Sequence, residues 1–274
     1  MRCLILLLAL GGTAAGGRVE GGTPAPGDRY EAAAEKIKFP AGEKLVEWAE
    51  KSDAHRKLMV EFTDRKKYAA GLRTIEEKLG VFPAEIDIQV EFEETDDRRP
   101  ARAGGKDGKG RIFFNLKRLA EYQRRTDEFE AQRRAGRNVA WVIPPASYGS
   151  IVAHELTHVV CGTFQERWLT EGLACWVSDD TGPLHAFNHR AGKVESLDIP
   201  VSEDDAYPRG LLFFLWMERR WNREKVREFF GRLAAHSESP KEALFTVTGN
   251  TWARMAGEEQ GWSAEYCKKL RKPR

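Results

Sequence analysis

The spacing of apolar and polar residues predicts a chain that begins with helices and then passes through a small sheet. Helical periodicity covers residues 30–57, and a second helix is predicted over 64–79, with Gly80 as its stop. The stretch EIDIQVEFE, residues 85–93, alternates strictly between apolar and polar side chains, which is typical of a half-buried strand. The stretch RIFFNL, which begins at Arg111, is the expected partner strand.

The segment between these strands, TDDRRPARAGGKDGKG, is polar and rich in glycine. Its composition favours an unstructured hairpin connection, with contact to a substrate as the alternative. A charged helix is predicted over 117–136 and a short strand or extended segment over 139–145, after which Ser147 or Ser150 would cap a further helix. The last third has helical spacing. We therefore predict an α+β fold, in which a small mixed sheet precedes a mostly helical C-terminal half.

The N-terminus has the pattern of a secretory signal peptide. Arg2 precedes a short apolar run over 4–10, small residues follow, and the run is too short to span a bilayer. The alternative is a buried N-terminal helix, but no polar residue interrupts the run to give it an amphipathic face. We expect a signal peptide over 1–17, a flexible leader over 18–29 and one domain over 30–274, exported to the periplasm or secreted.

Charge and cysteine content limit the remaining function classes. The 44 basic and 42 acidic residues nearly balance, so no basic field argues for nucleic-acid binding. The aromatic run over 211–221 contains charged residues at 218–220, so no transmembrane segment is expected in the mature chain. Cys161, Cys175 and Cys267 would remain after export. They could form one disulfide or remain as buried thiols, and the sequence does not decide between these two states. The sequence does not indicate an oligomeric state.

The stretch HELTHVVCGTFQERWLTEGLACW, residues 154–176, carries the candidate chemistry. His154 and His158 are one helical turn apart, so both imidazoles project from one face and can bind one Zn²⁺. Glu155 is offset from that face, where it can reach a water on the open side of the metal. Glu171 follows on a second helix, and two histidines with one glutamate form a catalytic zinc set. The alternative is two ordinary histidines and two solvated glutamates.

HELTH followed by WLTEGLA resembles the gluzincin metallopeptidases of the MA-like clan. The similarity extends loosely over about residues 85–262. It implies a zincin-like fold, a peptide or protein substrate and peptide-bond hydrolysis. By position it makes His154, His158 and Glu171 the zinc ligands and Glu155 the general base. Family members also place a tyrosine before the glycine-containing helix, which makes Tyr207 the candidate oxyanion donor; the alternative is a tyrosine packed at a helix start.

Two departures from the family pattern stand out. One turn after Glu171, where thermolysin-like enzymes often carry an acidic partner for a zinc histidine, this chain has Cys175, which leaves Asp179 or a backbone carbonyl for that role. There is also no G-x-M-E-N segment, which argues against the aminopeptidase branch. His185 and His189, expected in a loop, are the other candidate oxyanion donors. An inactive zincin-fold binding protein and a non-peptidase zinc hydrolase remain as alternative functions.

Overall fold

The computed structural model describes residues 28–137, 147–189, 192–197, 201–235 and 238–271. Within these ranges the protein is an α+β chain with one three-stranded sheet and a majority of helical residues, as the sequence predicts. The expected signal peptide, the leader up to residue 27 and the extended segment expected over 139–145 lie outside these ranges. Positions 28 and 29, assigned above to the leader, belong to the first helix.

The elements follow one another in three groups. Four helices come first: α1 (Asp28–Glu35), α2 (Gly42–Glu50), α3 (Asp53–Thr63) and α4 (Arg65–Leu79). Next are β1 (Asp87–Glu93), β2 (Ala101–Lys106), β3 (Lys109–Asn115) and α5 (Leu116–Arg134). The third group is α6 (Tyr148–Cys161), α7 (Arg167–Val177), α8 (Gly182–His189), α9 (Ala206–Arg220), α10 (Arg223–Ala234), α11 (Pro240–Thr248) and α12 (Trp252–Arg271). A 3-10 turn, Glu203–Asp205, leads into α9.

The single helix predicted over 30–57 is wrong, because three short helices occupy this region. Pro40 disfavours helical backbone in the residue before it, and α1 has already ended there. The backbone N–H of Lys38 instead donates to Ile88 O at 2.9 Å, which attaches the segment to β1. Ser52 then caps α3 with its side chain and separates that helix from α2.

The helix predicted over 64–79 is confirmed together with its boundaries. Asp64 caps α4 by accepting from the backbone N–H of Lys66, and Gly80 ends it in a left-handed conformation with φ 71°. Such a conformation suits glycine because a side chain would be strained there. Ser147 likewise caps α6, as one of the two serines was expected to do.

The sheet has the order β1–β3–β2, with β1 parallel and β2 antiparallel to β3. The predicted pairing of β1 with β3 is confirmed, but the two strands are parallel, so the hairpin connection expected between them is wrong. The expectation of an unstructured connection is wrong for residues 101–106, which form the edge strand β2. A two-residue turn joins β2 to β3, with positive φ at Asp107 (55°) and Gly108 (81°). This is the pairing of angles that a tight hairpin with an Asp-Gly turn requires.

The central element of the packing is α6, which contacts α4, α7 and both strands of the hairpin. Every residue from Val152 to Cys161 is buried. The close approach to α4 suits Gly71, because a Cβ there would lie 3.3 Å from Ala153 Cα and 2.8 Å from Leu156 Cδ1. The three described cysteines are buried free thiols, so the disulfide alternative is not realised among them. None of the described helices combines the length and apolar character needed to cross a bilayer.

Candidate metal centre

Three of the predicted site residues lie on α6. The helical periodicity places His154 and His158 on the same face of α6. Both residues are buried, with relative exposures of 9% and 7%. Their rings meet nearly edge to face, with centroids 4.9 Å apart. The helix ends at Gly162, whose backbone N–H donates to His158 O at 2.9 Å. The cap therefore stabilises the turn that carries the second histidine.

The fourth predicted residue, Glu171, lies on α7, which packs against α6. The short connection between these helices is stabilised by Thr170, whose hydroxyl accepts from the backbone N–H of Phe164 at 2.8 Å. Because α7 begins directly after this connection, its second turn faces the two histidines. The side chain of Glu171 is only 14% exposed.

Two histidine nitrogens and one carboxylate oxygen come together at this point. Glu171 Oε2 is 3.4 Å from His154 Nε2 and 3.4 Å from His158 Nε2, and the three donor groups lie within 4.8 Å of one another. Tetrahedral zinc ligands at about 2.0–2.1 Å from the metal are themselves about 3.3–3.4 Å apart. Among the described residues Glu171 Oε2 has no hydrogen-bond partner although it is buried. The cluster could therefore hold a metal ion, and two of its separations match those between zinc ligands.

The electrostatics of the cluster favour a charged carboxylate ligand. Burial alone would raise the pKa of Glu171, but the neighbouring imidazoles of His154 and His158 outweigh burial and hold that pKa well below its ordinary value. Glu171 is therefore ionised at neutral pH, which is the form that binds a metal.

Glu155 is buried beside the cluster and is not one of its three members. Its Oε2 atom has no hydrogen-bond partner in the described part of the chain. Burial raises the pKa of Glu155 above its ordinary value, while the charges of His154 and His158 oppose this rise. A carboxyl group with a raised pKa beside a metal site is suited to accept and return a proton.

Cys175 is the residue that faces the other nitrogen of His154, with Sγ 3.8 Å from Nδ1. It stands one turn after Glu171, at the position where the family pattern often has an acid. Asp179, named above as a possible replacement, instead accepts from Lys78 Nζ at 2.6 Å. The thiol itself is thus the neighbour of the histidine, and burial raises the pKa of Cys175 so that it stays protonated.

Tyr207 is brought to the site by α9. Its ring lies almost parallel to that of His154, with centroids 5.9 Å apart. The approach of α9 to α7 depends on two glycines, because a Cβ on Gly172 would lie 2.2 Å from Gly210 Cα. Burial is the main cause of the raised pKa of Tyr207, and the charge of Glu171 adds to it. The phenol therefore keeps its proton at neutral pH and can donate it in a hydrogen bond.

The two histidines proposed as alternatives to Tyr207 are not in a loop, as expected, but in α8. This helix packs against α9 and α12. His185 is not a member of the cluster of potential ligands, and the side chain of His189 lies outside the described atoms. The expected loop is replaced by a helix because Thr181 accepts from the backbone N–H groups of Leu184 and His185, which closes its first turn.

Sequence reasoning missed Arg167, which contacts three parts of the site. Its Nε is 3.6 Å from Glu171 Oε1, its guanidinium forms an ion pair with Glu203, and its Cζ lies 5.9 Å from the centre of the Tyr207 ring. The i, i+4 spacing of Arg167 and Glu171 on a predicted helix was the available signal. By contacting Oε1, Arg167 leaves Oε2 directed at the histidines.

Comparisons of this chain with protein-family models, with curated proteins and with solved structures found no match.

Proposed function

We propose that this chain is an exported zinc-dependent peptidase with a zincin-like fold. In this proposal His154, His158 and Glu171 hold the zinc ion, Glu155 is the general base, and Tyr207 is the oxyanion donor. The substrate is a peptide or protein.

The observation that carries the proposal is the combination of three potential ligands with a separate buried carboxyl group. Structural zinc sites are usually closed by four protein ligands, whereas the described part of this chain offers three. A fourth, open position is typical of catalytic sites. Glu155 supports the same conclusion, because a purely structural site does not need a second acid with an unpaired buried oxygen.

The remaining roles follow from the chemistry of the side chains. Bound zinc supplies a Lewis acid that activates water near neutral pH. Glu155 takes a proton from the attacking water and delivers it to the leaving amine. Tyr207, protonated at neutral pH, donates a hydrogen bond to the oxyanion that develops on the scissile carbonyl. Arg167 keeps Glu171 in place by contacting the carboxylate oxygen Oε1 of Glu171. Cys175 orients His154 by contacting its Nδ1 atom.

A mass-spectrometric screen of mixed peptides tests this function. We expect the zinc-loaded chain to cleave peptides, a chelator to abolish cleavage, and Glu155→Gln to retain zinc but lose roughly 10²–10⁴ in rate, the usual effect of a positioned acid or base. Parent-like cleavage by Glu155→Gln would refute the role of the base. A zinc-loaded wild type that cleaves no peptide but hydrolyses an aryl ester would favour a non-peptidase hydrolase, and absence of both activities would favour a binding protein.

A further inference from the structure

A cleft of about 350 Å³ lies between the segment 94–100 and α5, and three arginines line it. The lining residues are Arg98, Pro100, Arg118, Glu121, Tyr122 and Arg125. The only acid among them, Glu121, is paired with Arg118 Nη1 at 3.2 Å. Arg98 and Arg125 are exposed, and neither guanidinium group has a hydrogen bond or ion pair with another described residue. The cleft therefore presents positive charge that the described part of the chain does not neutralise.

The backbone that carries Arg98 is fixed by hydrogen bonds. The side-chain amide of the buried residue Asn115 donates to Thr95 O at 3.2 Å and to Asp97 O at 3.1 Å. Arg118 Nε donates to the same Asp97 carbonyl at 2.9 Å. A charged group on a backbone held in this way loses less conformational entropy when a ligand binds. The segment is thus more ordered than its composition suggests.

α5, which lines one wall of the cleft, also contacts α6, the helix that carries His154 and His158, because Tyr148 Oη in the first turn of α6 donates a hydrogen bond to Gln123 Oε1 in α5. Arg99, the neighbour of Arg98 in the chain, forms a hydrogen-bonded ion pair with Asp97, and this pair is the main cause of the raised pKa of Arg99. Tyr207 and Glu171 raise the pKa of Arg99 further. Arg99 is thus close enough to Glu171 for the two charges to interact.

We propose that this arginine cleft, formed by Arg98, Arg118 and Arg125, binds carboxylate side chains of the peptide substrate and so selects acidic sequences near the scissile bond. A guanidinium group matches the two oxygens of a carboxylate with two parallel N–H donors. Selection during cleavage rests on the proposed function, whereas binding of an acidic peptide does not.

The test compares two dansylated peptides that differ only in having three glutamates or three glutamines. The zinc-loaded Glu155→Gln chain is titrated with each peptide, and binding is followed by fluorescence anisotropy. In that background the cleft is neutralised with Arg98→Gln and Arg125→Gln. A matched control, Arg133→Gln with Arg134→Gln, makes the same change of charge at the far end of α5. Arg118 is left in place because it binds the backbone.

We expect the glutamate peptide to bind more tightly than the glutamine peptide, and the cleft variant to weaken it about three- to thirtyfold, the range for two partly exposed arginine contacts. The control should leave binding unchanged. Equal binding of the two peptides, or equal effects of cleft variant and control, would overturn the inference. Displacement of the glutamate peptide by inorganic phosphate at lower concentration than by free glutamate would also overturn it, in favour of a phosphate site.

Cleavage of the same peptides by the wild-type chain separates the two proposals. Preferential binding without cleavage of either peptide would contradict the peptidase function and leave the cleft assignment intact. Cleavage of both peptides at equal kcat/KM would contradict the cleft assignment and leave the peptidase function intact.

Discussion

Gly210→Ala should destabilise the protein, although alanine is the better helix former. Gly210 lies in α9 where that helix crosses α7, and a Cβ built on it would be 1.9 Å from Trp168 O and 2.6 Å from Gly172 Cα. Both atoms belong to backbone, so no change of side-chain rotamer can relieve the overlap. The two helices would have to separate.

The magnitude follows from the size of that separation. Contacts of a Cβ below 3.0 Å essentially do not occur, so the carbonyl of Trp168 and the new methyl group must move apart by more than 1 Å. Overpacking of this kind costs about 1–3 kcal/mol and occasionally more, and a gap of 0.5–1 Å elsewhere in the interface forfeits a quarter to a half of the dispersion energy. Alanine returns about 1 kcal/mol of helix propensity. Because the overlap lies between two backbones, the cost should be at or above the upper end of that range, which leaves a net loss of about 2 kcal/mol or more.

Urea unfolding followed by circular dichroism measures this loss. Gly231→Ala in α10 is the matched control, because nothing lies within 4 Å of a Cβ at that helical position. It should leave stability unchanged or raise it by roughly 0.4–1 kcal/mol. In thermal unfolding Gly210→Ala should lower Tm by roughly 4–8 °C. Equal unfolding midpoints for the two variants would refute the argument that the α7–α9 contact needs glycine.

Three further substitutions test other parts of the account. Tyr207→Phe should lower kcat by roughly 10²–10³ with KM nearly constant, by analogy with the loss of one oxyanion donor. A kcat within a few-fold of the parent would show that the tyrosine is a packing residue. Cys175→Ala should weaken zinc binding about 10–100-fold in competition with a chromophoric chelator, and Cys175→Ser, which still offers an acceptor to the imidazole, should weaken it less. Glu259→Gln leaves the buried guanidinium of Arg209, now paired at 2.7 Å, without its counter-charge, and urea unfolding should show a loss of about 3–5 kcal/mol.

The elements that the sequence predicted well are those with a strong local signal. α4 has a capping aspartate, a regular apolar stripe and a terminal glycine, and β1 alternates without interruption. α6 could be placed from its serine cap and from the histidine spacing. Patterns of this kind depend on residues within one or two turns of each other, so a single sequence is enough to recognise them.

The edge strand β2 was missed for a physical reason. Its sequence, ARAGGK, has no alternation, and its burial pattern shows only one buried residue, Ala101. The strand exists because its backbone pairs with β3, and the Asp-Gly turn that follows it was the available local signal. A polar edge strand is stabilised by pairing with another strand, and the composition of the edge strand does not show that this partner exists.

The surroundings of the candidate metal centre depend in the same way on tertiary packing. The four residues His154, Glu155, His158 and Glu171 could be proposed from spacing along two helices. The contact of Cys175 with a histidine, and the arginine cleft, arise only when helices from distant parts of the chain meet. Sequence spacing therefore identified the candidate ligands but not the groups that surround them.

Inductively coupled plasma mass spectrometry of the purified chain determines whether His154, His158 and Glu171 hold zinc. We expect one zinc ion per chain in the wild type and in Glu166→Gln, an exposed control beside α7, and loss of that zinc in the His154→Ala, His158→Ala double variant. Circular dichroism would show that the double variant is folded. Full retention of zinc by the folded double variant would contradict the assignment of the site.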